Sequence, residues 1–138
     1  MLAVYLAGPI STGNQFDNVH RAVVDAARLR AAGFAVMVPH RCALDELVLG
    51  AQSYEAWLDE DKEWIRRCDA VVRRPGESKG SDIEVAFARE IGRPVYFGVD
   101  EFLRAIEGEG PMLVEATRPA ADVAELLGRS RKRLAGAR

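Results

Sequence analysis

Residues 69–99, which read DAVVRRPGESKGSDIEVAFAREIGRPVYFGV, decide the fold of this chain. The stretch opens with a short apolar run, DAVVR, and closes with a second one, PVYFGV. Between them lie a loop, PGESKGS, and a segment from Asp82 to Ile91 whose apolar residues recur at helical spacing. Near-continuous apolar strands that alternate with helices are typical of a parallel sheet covered on both faces.

The sequence on either side of this unit repeats the alternation. Before it we expect a first strand at residues 2–7, a helix from Asn14 to Ala32, a second strand at residues 34–39 and a long helix from Ser53 to about Cys68. The stretch from His40 to Gln52 has no clear period and predicts a loop or a short helical turn. After the unit we expect a helix from Asp100 to Glu107, a fifth strand at residues 111–116 and a final helix from Ala120 to Leu134.

This order predicts an α/β fold, with an open, mostly parallel five-stranded sheet and helices on both faces. Such an arrangement is a three-layer sandwich of the flavodoxin or Rossmann type. The chain has 138 residues, and we expect it to form a single domain spanning residues 1–138. Sheets of this kind bind ligands at the carboxyl ends of their strands, which here carry the loops AGPISTG and RPGESKGS.

Composition excludes several classes of protein. Apolar residues make up 49% and charged residues 29%, which is ordinary for a soluble globular protein, and the formal charge of −2 gives no reason to expect a nucleic-acid polymer as partner. The N-terminus lacks the features of a signal peptide and no segment is typical of a membrane span, so we expect a cytoplasmic protein. The isolated cysteines and histidines match no metal pattern, and we predict no metal and no cofactor.

Two carboxylates interrupt the apolar faces of predicted helices. Glu84 lies on the same helical arc as Ile83, Phe87 and Ile91, while the other charged residues of that helix point elsewhere. Ser81 and Glu84 also have the spacing of a capping box, in which the glutamate binds the backbone at the helix start. The structural and the functional interpretation of Glu84 both remain open at this point.

Asp61 repeats the pattern on the preceding helix. It lies inside an apolar arc that contains Trp57, Leu58, Trp64, Ile65 and Cys68. Both helices connect directly to the third strand, so the two carboxylates can face one cleft. A pair of carboxyl groups with different pKa values can act as acid and nucleophile, and cleavage of a glycosidic bond uses such a pair directly.

Two further features lie near this predicted cleft. Tyr5, on the first strand, either orients a carboxylate through its hydroxyl or is simply a core aromatic. The loop before the third helix offers hydroxyl and backbone N–H groups at Ser78, Gly80 and Ser81, with Lys79 for charge. It lacks the spacing of a Walker loop, and it is either a monophosphate site or a generic turn rich in serine and glycine.

Three motifs together resemble the nucleoside 2-deoxyribosyltransferase superfamily. They are VYLAGPIS near the N-terminus, DEDKEWIRRCDAVV in the middle and PGESKGSDIEVAFAREIGRPVY after it. Within the superfamily the chain resembles most the 2'-deoxynucleoside 5'-phosphate N-hydrolases. The resemblance covers the first strand and most of residues 57–97.

The resemblance implies a role for each matched residue. Glu84 falls at the nucleophile that attacks the anomeric carbon, Tyr5 at the tyrosine that positions it, and Asp61 at the aspartate that protonates the departing base. Ser78 replaces the acidic residue that holds the 5'-hydroxyl in transferases acting on nucleosides, and a serine there suits a phosphate. Gly8 and Ser11, in the loop after the first strand, are expected to contribute to the same substrate site.

The sequence therefore predicts an enzyme, an N-glycosidase that releases the base from a (deoxy)nucleoside 5'-monophosphate through a glutamyl-glycosyl intermediate. Alternatives are a deoxyribosyltransferase that uses the same residues, a phosphoribohydrolase that acts on ribonucleotides, and a nucleotide-binding protein without catalysis. The expected partner is a small-molecule nucleotide. The resemblance also implies a homodimer or a higher homo-oligomer, because members of the superfamily often complete the site with a residue of a neighbouring subunit.

Overall fold

The structure, a computed structural model, describes residues 1–108 and the single residue 136. Its strands are β1 (Ala3–Ala7), β2 (Ala35–Met37), β3 (Ala70–Arg73) and β4 (Val95–Phe97). Its helices are α1 (Gln15–Ala31), α2 (Cys42–Leu49), α3 (Tyr54–Arg67), α4 (Lys79–Glu90) and α5 (Val99–Ile106), with a 3-10 turn at Pro39–Arg41. The predicted fifth strand at residues 111–116 and the final helix from Ala120 to Leu134 lie outside the described residues.

The described strands form one parallel sheet in the order β2-β1-β3-β4. This confirms the predicted α/β class. After β1 the chain runs through α1 to β2, which pairs with one edge of β1. Strand β3 pairs with the opposite edge of β1. Strand order therefore reverses between β1 and β3, and a sheet of this kind binds ligands at the carboxyl ends of the strands near such a point.

The alternation of side chains along β1 divides the core into two layers. Val4 and Leu6 pack with α1 and α5 on one face of the sheet. Tyr5 and Ala7 face the other side, where α3 and α4 pack. Strand β1 therefore contributes Val4 and Leu6 to the larger apolar core. On the opposite face of the sheet, towards α3 and α4, it presents the hydroxyl group of Tyr5.

Two predictions about local structure need correction. The stretch from His40 to Gln52, where we expected a loop or a short helical turn, contains the longer helix α2, which has two turns. This helix has no buried residue, and its leucines and valine are largely exposed, so the sequence has no amphipathic period to indicate it.

The second error concerns the start of α4. The helix begins at Lys79 rather than Asp82, and Ser78 caps it by accepting a hydrogen bond from the backbone N–H of Ser81 at 3.2 Å. The predicted capping box between Ser81 and Glu84 is therefore absent. Because Glu84 lies in the second turn, its carboxyl group is not needed to cap the helix.

The apolar arc predicted on α3 also needs correction. Ile65 and Cys68 are buried as expected, whereas Trp64 is partly exposed and donates its indole N–H to Glu60 at 3.4 Å. Trp57 and Leu58 are half-buried. The first turns of α3 thus do not pack into a closed core, and their apolar side chains remain available to line a cavity.

Leu6→Ala tests the assignment of the larger core. Leu6 has no exposed surface, so we expect the substitution to lower the free energy of unfolding by about 2–5 kcal/mol through lost burial and a residual cavity. Val24→Ala is the control, because that valine is 47% exposed and its truncation should change stability by less than about 0.5 kcal/mol. Urea unfolding followed by circular dichroism measures both. Equal losses in the two variants would contradict the assignment.

Candidate active site

A cavity of about 440 Å³ opens at the carboxyl edge of the sheet, where strand order reverses. It is bounded by the loops after β1 and β3, by α2, by the first turns of α3 and by the first turns of α4. The two loops touch each other: a side chain on Gly76, whose φ is +113°, would lie 2.8 Å from Pro9. Glycine at this position therefore permits both the backbone conformation and the close approach.

A buried hydrogen bond joins β1 to α4 at the base of this cavity. The Tyr5 hydroxyl donates to Glu84 Oε1 at 2.9 Å, and Glu84 is only 5% exposed. Burial and the neighbouring Glu84 carboxylate raise the pKa of Tyr5 well above its ordinary value. The tyrosine therefore stays protonated and acts as a fixed donor to the glutamate.

Asp61, on α3, lines the same cavity and interacts with both of these residues. Burial raises the pKa of Asp61, whereas hydrogen bonding to Tyr5 and Glu84 opposes this change. The structure thus brings together Tyr5, Asp61 and Glu84, the three residues that the sequence indicated as catalytic. Two carboxyl groups and one hydroxyl meet in a space with restricted access to water.

The electrostatics of the pair favour retention of a proton. Burial, followed by the charge of Asp61, raises the pKa of Glu84 to about 8, while the Tyr5 hydroxyl and the Arg73 guanidinium oppose the increase. Two neighbouring buried carboxyl groups cannot both ionise without repulsion. At neutral pH the pair therefore shares one proton, so that one carboxyl can serve as an acid and the other as a base or nucleophile.

Arg73 supports the site without lining the cavity, and sequence reasoning missed it. It ends β3, is buried, and its Nη2 donates to the carbonyl of Gly76 at 2.9 Å and to Asp82 Oδ1 at 3.1 Å. These bonds attach the loop before α4 to the end of the strand. An arginine at the end of an otherwise apolar strand was the available signal, because a buried guanidinium requires several acceptors.

The first turn of α4 forms one rim of the cavity. Ser78, Gly80 and Ser81 line it together with Lys79, as expected from the sequence. The Ser81 N–H is already bound by the Ser78 hydroxyl, while the first N–H groups of any helix lack partners within the helix. The Tyr54 hydroxyl lies 3.4 Å from where a side chain on Gly80 would begin, so α3 closes over this turn.

The loop after β1 forms another part of the rim. Gly8 and Ser11 both line the cavity. A side chain on Gly8 would lie 3.0 Å from Cβ of Arg74, so the two loops pack closely at this point as well. Asn18 donates to the carbonyls of Ile10 and Thr12 at 3.0 and 2.7 Å, which holds the loop against α1.

His40 also holds the loop after β1 in place. Its Nε2 lies 2.8 Å from the carbonyl oxygen of Pro9, and burial lowers the pKa of His40 to about 4. The imidazole is therefore neutral at physiological pH and donates this hydrogen bond. Its role in the described part of the chain is structural support for the loop that carries Gly8 and Ser11.

Helix α2 contributes a wall of the cavity, and it lies in the stretch from His40 to Gln52 that was expected to shape the base pocket. Cys42 and Glu46 line the cavity opposite Trp57 and Leu58 of α3. Burial, with the nearby charges of Glu46 and Asp61, raises the pKa of Cys42 to about 11, so its thiol is protonated and unreactive. Because no helical period marked residues 42–49, the sequence indicated the region but not these two side chains.

Within residues 1–108 no group of three or more His, Cys, Asp or Glu side chains has the arrangement of a metal site. None of the helices in that range combines the length and the apolar character needed to cross a membrane.

Residues 2–97 match the family described as a domain of unknown function, DUF4406. The chain belongs to this family. The match includes every strand described above and the residues that meet in the cavity, and no curated relative matches the sequence.

Solved structures extend the comparison. The chain is similar to a 2-deoxyribosyltransferase from the psychrotolerant bacterium Bacillus psychrosaccharolyticus, with 26% identity and a TM-score of 0.51 over 67% of this chain and 69% of that chain. It is also similar to a 2-deoxyribosyltransferase from Leishmania mexicana, with 20% identity and a TM-score of 0.49 over 69% of this chain and 62% of that one. The similarity to the Bacillus enzyme supports the superfamily that the three motifs indicated, and it groups the chain with enzymes.

Glu84→Gln tests the shared proton. Because the pKa of Glu84 is raised from 4.5 to about 8, its contribution to stability is fully present below pH 4.5 and is lost as the pH rises through 8. Within this window the free energy of unfolding should fall by up to about 1.4 kcal/mol per pH unit. The neutral amide cannot ionise, so the variant should lose this part of the pH dependence and be more stable than the native chain at pH 8.

The measurement is the thermal midpoint from pH 5 to pH 8.5 in buffers of constant ionic strength. Glu90→Gln is the control, since Glu90 is an exposed acid on the same helix. Its pH dependence should follow that of the native chain. A Glu84→Gln variant whose midpoint depends on pH as steeply as the native midpoint would show that the glutamate does not hold the proton.

Proposed function

We propose that the protein is a hydrolase that cleaves the N-glycosidic bond of (deoxy)nucleoside 5'-monophosphates, releasing the free base and the sugar 5-phosphate. The observation that carries the proposal is the buried hydrogen bond from Tyr5 to Glu84, beside Asp61, at the base of a cavity that a helix N-terminus also borders. Similarity to a 2-deoxyribosyltransferase supports chemistry at the same bond.

The reaction begins with attack by a Glu84 carboxylate oxygen on C1' of the sugar. A bond forms between this oxygen and C1', the bond from C1' to the base nitrogen breaks, and its electron pair leaves with the base. Asp61 donates a proton to the departing base. Water then attacks C1' and gives its proton to Asp61, and the bond to Glu84 breaks, so both carboxyl groups return to their starting states.

The division of roles requires a proton to move within the pair. In the free site the raised pKa of Glu84 keeps the shared proton on Glu84 at neutral pH, so the proposed reaction begins once this proton has passed to the adjacent Asp61 as the substrate binds. The Tyr5 hydroxyl donates to Glu84 and thereby favours the ionised form of the nucleophile. Tyr5 is in this way a positioning residue, which restricts the glutamate to one orientation.

The rim formed by α4 supports a phosphate as part of the substrate. Ser78 carries a hydroxyl rather than a carboxylate, and Lys79 and the backbone of Gly80 and Ser81 lie in the same turn at the helix N-terminus. Hydroxyl groups, N–H groups and a helix N-terminus all favour an anion. Gly8 and Ser11 border the cavity from the other loop and are proposed to contact the substrate as well.

A transferase is the second candidate, and one observation favours it. Glu77, next to Ser78, also lines the cavity, and its carboxylate would repel a phosphate but accept a hydrogen bond from a free 5'-hydroxyl. In that case a second base, rather than water, would attack the glycosyl intermediate. A nucleotide-binding protein without catalysis differs from both, because it predicts binding unaffected by Glu84→Gln and no release of base.

The proposed function carries three further expectations. We propose a cytoplasmic enzyme that forms one domain over residues 1–138, requires no cofactor or metal for the steps above, and takes a small-molecule nucleotide rather than a nucleic-acid polymer. We also propose a homodimer or a higher homo-oligomer. Support for the latter comes from α2, on which Leu44, Leu47, Val48 and Leu49 are all exposed.

Release of free base tests the catalytic proposal. The purified protein is incubated with a panel of nucleoside 5'-monophosphates and the matching nucleosides, and free base is followed by chromatography. We expect release from monophosphates by the native chain, and a loss of at least about 10³-fold in Glu84→Gln, because the amide is not a nucleophile. Glu90→Gln should retain native rates. Base release that persists in Glu84→Gln would contradict the proposed nucleophile.

Ser78→Asp tests the phosphate site. Aspartate also caps helices, so α4 should still begin at Lys79, but the new carboxylate would face the phosphate. We expect kcat/KM for the monophosphate to fall about 10–100-fold relative to the matching nucleoside. Ser53→Asp is the matched control, because Ser53 caps α3 in the same way and does not line the cavity. A nucleotide-to-nucleoside ratio that is unchanged by Ser78→Asp would remove the role assigned to Ser78.

A further inference from the structure

One face of α3 lines the cavity over two turns. Tyr54, Trp57, Leu58 and Asp61 follow one another at spacings of three, one and three residues, so they share a face of the helix. Tyr54 approaches the turn at Gly80, whereas Asp61 interacts with Glu84. Trp57 and Leu58 lie between these two positions along the helix, and neither has a role in the chemistry proposed above.

Glu46 of α2 faces this part of the cavity. The Trp57 indole N–H donates to Glu46 Oε1 at 3.0 Å, which joins the two helices across the opening. The charges of both Glu46 and Asp61 act on the Cys42 thiol, so the three side chains lie around one region. Because Asp61 is the proposed proton donor to the leaving base, the base must lie beside Asp61 and therefore near this wall.

The hydrogen bond from Trp57 occupies only one of the hydrogen-bond acceptor positions of the Glu46 carboxylate. A carboxylate has two oxygens with about four acceptor positions, and the indole occupies one of them. The carboxylate accepts hydrogen bonds and donates none. An exocyclic amino group satisfies it, whereas a carbonyl group at the same place would face a negative charge without a proton between them.

We infer that Glu46, held in place by Trp57, selects nucleotides whose base carries an exocyclic amino group over their oxo counterparts. The inference rests on the proposed function, since it names the substrate class of that site. Adenine and cytosine carry this amino group at the ring positions where hypoxanthine and uracil carry a carbonyl group. Trp57 is the positioning residue of this pair, because its N–H fixes the orientation of the carboxylate.

Two pairs of substrates measure the preference for an amino group over an oxo group on the base. Deoxycytidine and deoxyuridine 5'-monophosphates differ by amino against oxo at one ring position, and deoxyadenosine and deoxyinosine 5'-monophosphates differ in the same way. We expect the native chain to prefer the amino member in kcat/KM by about 10–100-fold, the usual value of a hydrogen bond to a charged group. Both pairs are measured, so that the result does not depend on acceptance of purines or pyrimidines alone.

Glu46→Gln is the decisive variant. Glutamine retains an acceptor for the Trp57 indole and adds an N–H donor that can bind a carbonyl group, so the amino-to-oxo ratio should fall at least 10-fold. Trp57→Phe keeps an aromatic wall but removes the donor that orients Glu46, and it should reduce the ratio less. Asp45→Asn is the matched control: it removes one charge from the same helix at a residue that does not line the cavity. Its ratio should equal the native one.

The outcomes separate the inference from the proposed function. If the native chain releases base and Glu46→Gln leaves the amino-to-oxo ratio unchanged, with a native thermal midpoint, Glu46 serves only to hold Trp57 and the inference is wrong. If the native chain releases no base, the proposed function is wrong, and calorimetric titration with the same four nucleotides tests the inference. Tighter binding of the amino members that is lost in Glu46→Gln supports it, and equal binding overturns it.

Discussion

The hydrogen bond between Tyr5 and Glu84 is the interaction on which the organisation of the site depends. It connects the central strand to the fourth helix and gives a buried carboxyl group a fixed partner. Burying an ionisable group without such a partner would destabilise the fold by several kcal/mol. The bond also explains why one position of a strand in the centre of the sheet carries a hydroxyl, although its neighbours Val4 and Leu6 are aliphatic residues of the larger core.

The features that make this cavity suitable for acid–base chemistry also lower the stability of the fold. Two carboxyl groups share a cavity that excludes much of the solvent, which raises the pKa of both, and a half-buried tryptophan and leucine line the wall instead of filling the core. The surrounding structure compensates through hydrogen bonds to loop backbone, from Arg73 to Gly76 and from His40 to Pro9. Preorganised catalysis requires charged and polar groups that the surrounding structure holds in fixed positions before the reaction begins.

Sequence reasoning succeeded where a local rule was visibly broken. A carboxylate inside an apolar arc stands out on any helix, and this pattern alone marked Asp61 and Glu84 as unusual. It did not succeed for α2, whose side chains face the solvent and the cavity and therefore show no period. Glu46 was missed as well, because its hydrogen bond with Trp57 joins two separate helices and leaves no pattern in the sequence.

The sequence by itself determined the order and kind of the main elements, because apolar runs and helical periodicity are local properties that burial on a sheet imposes. It also determined which carboxyl groups were out of place. Only the tertiary structure decided that they meet, that Ser78 rather than Ser81 caps α4, that Arg73 holds the loop before α4, and that Glu46 lines the cavity. These facts depend on how distant segments approach across the reversal of strand order, and separation along the chain carries no information about that distance.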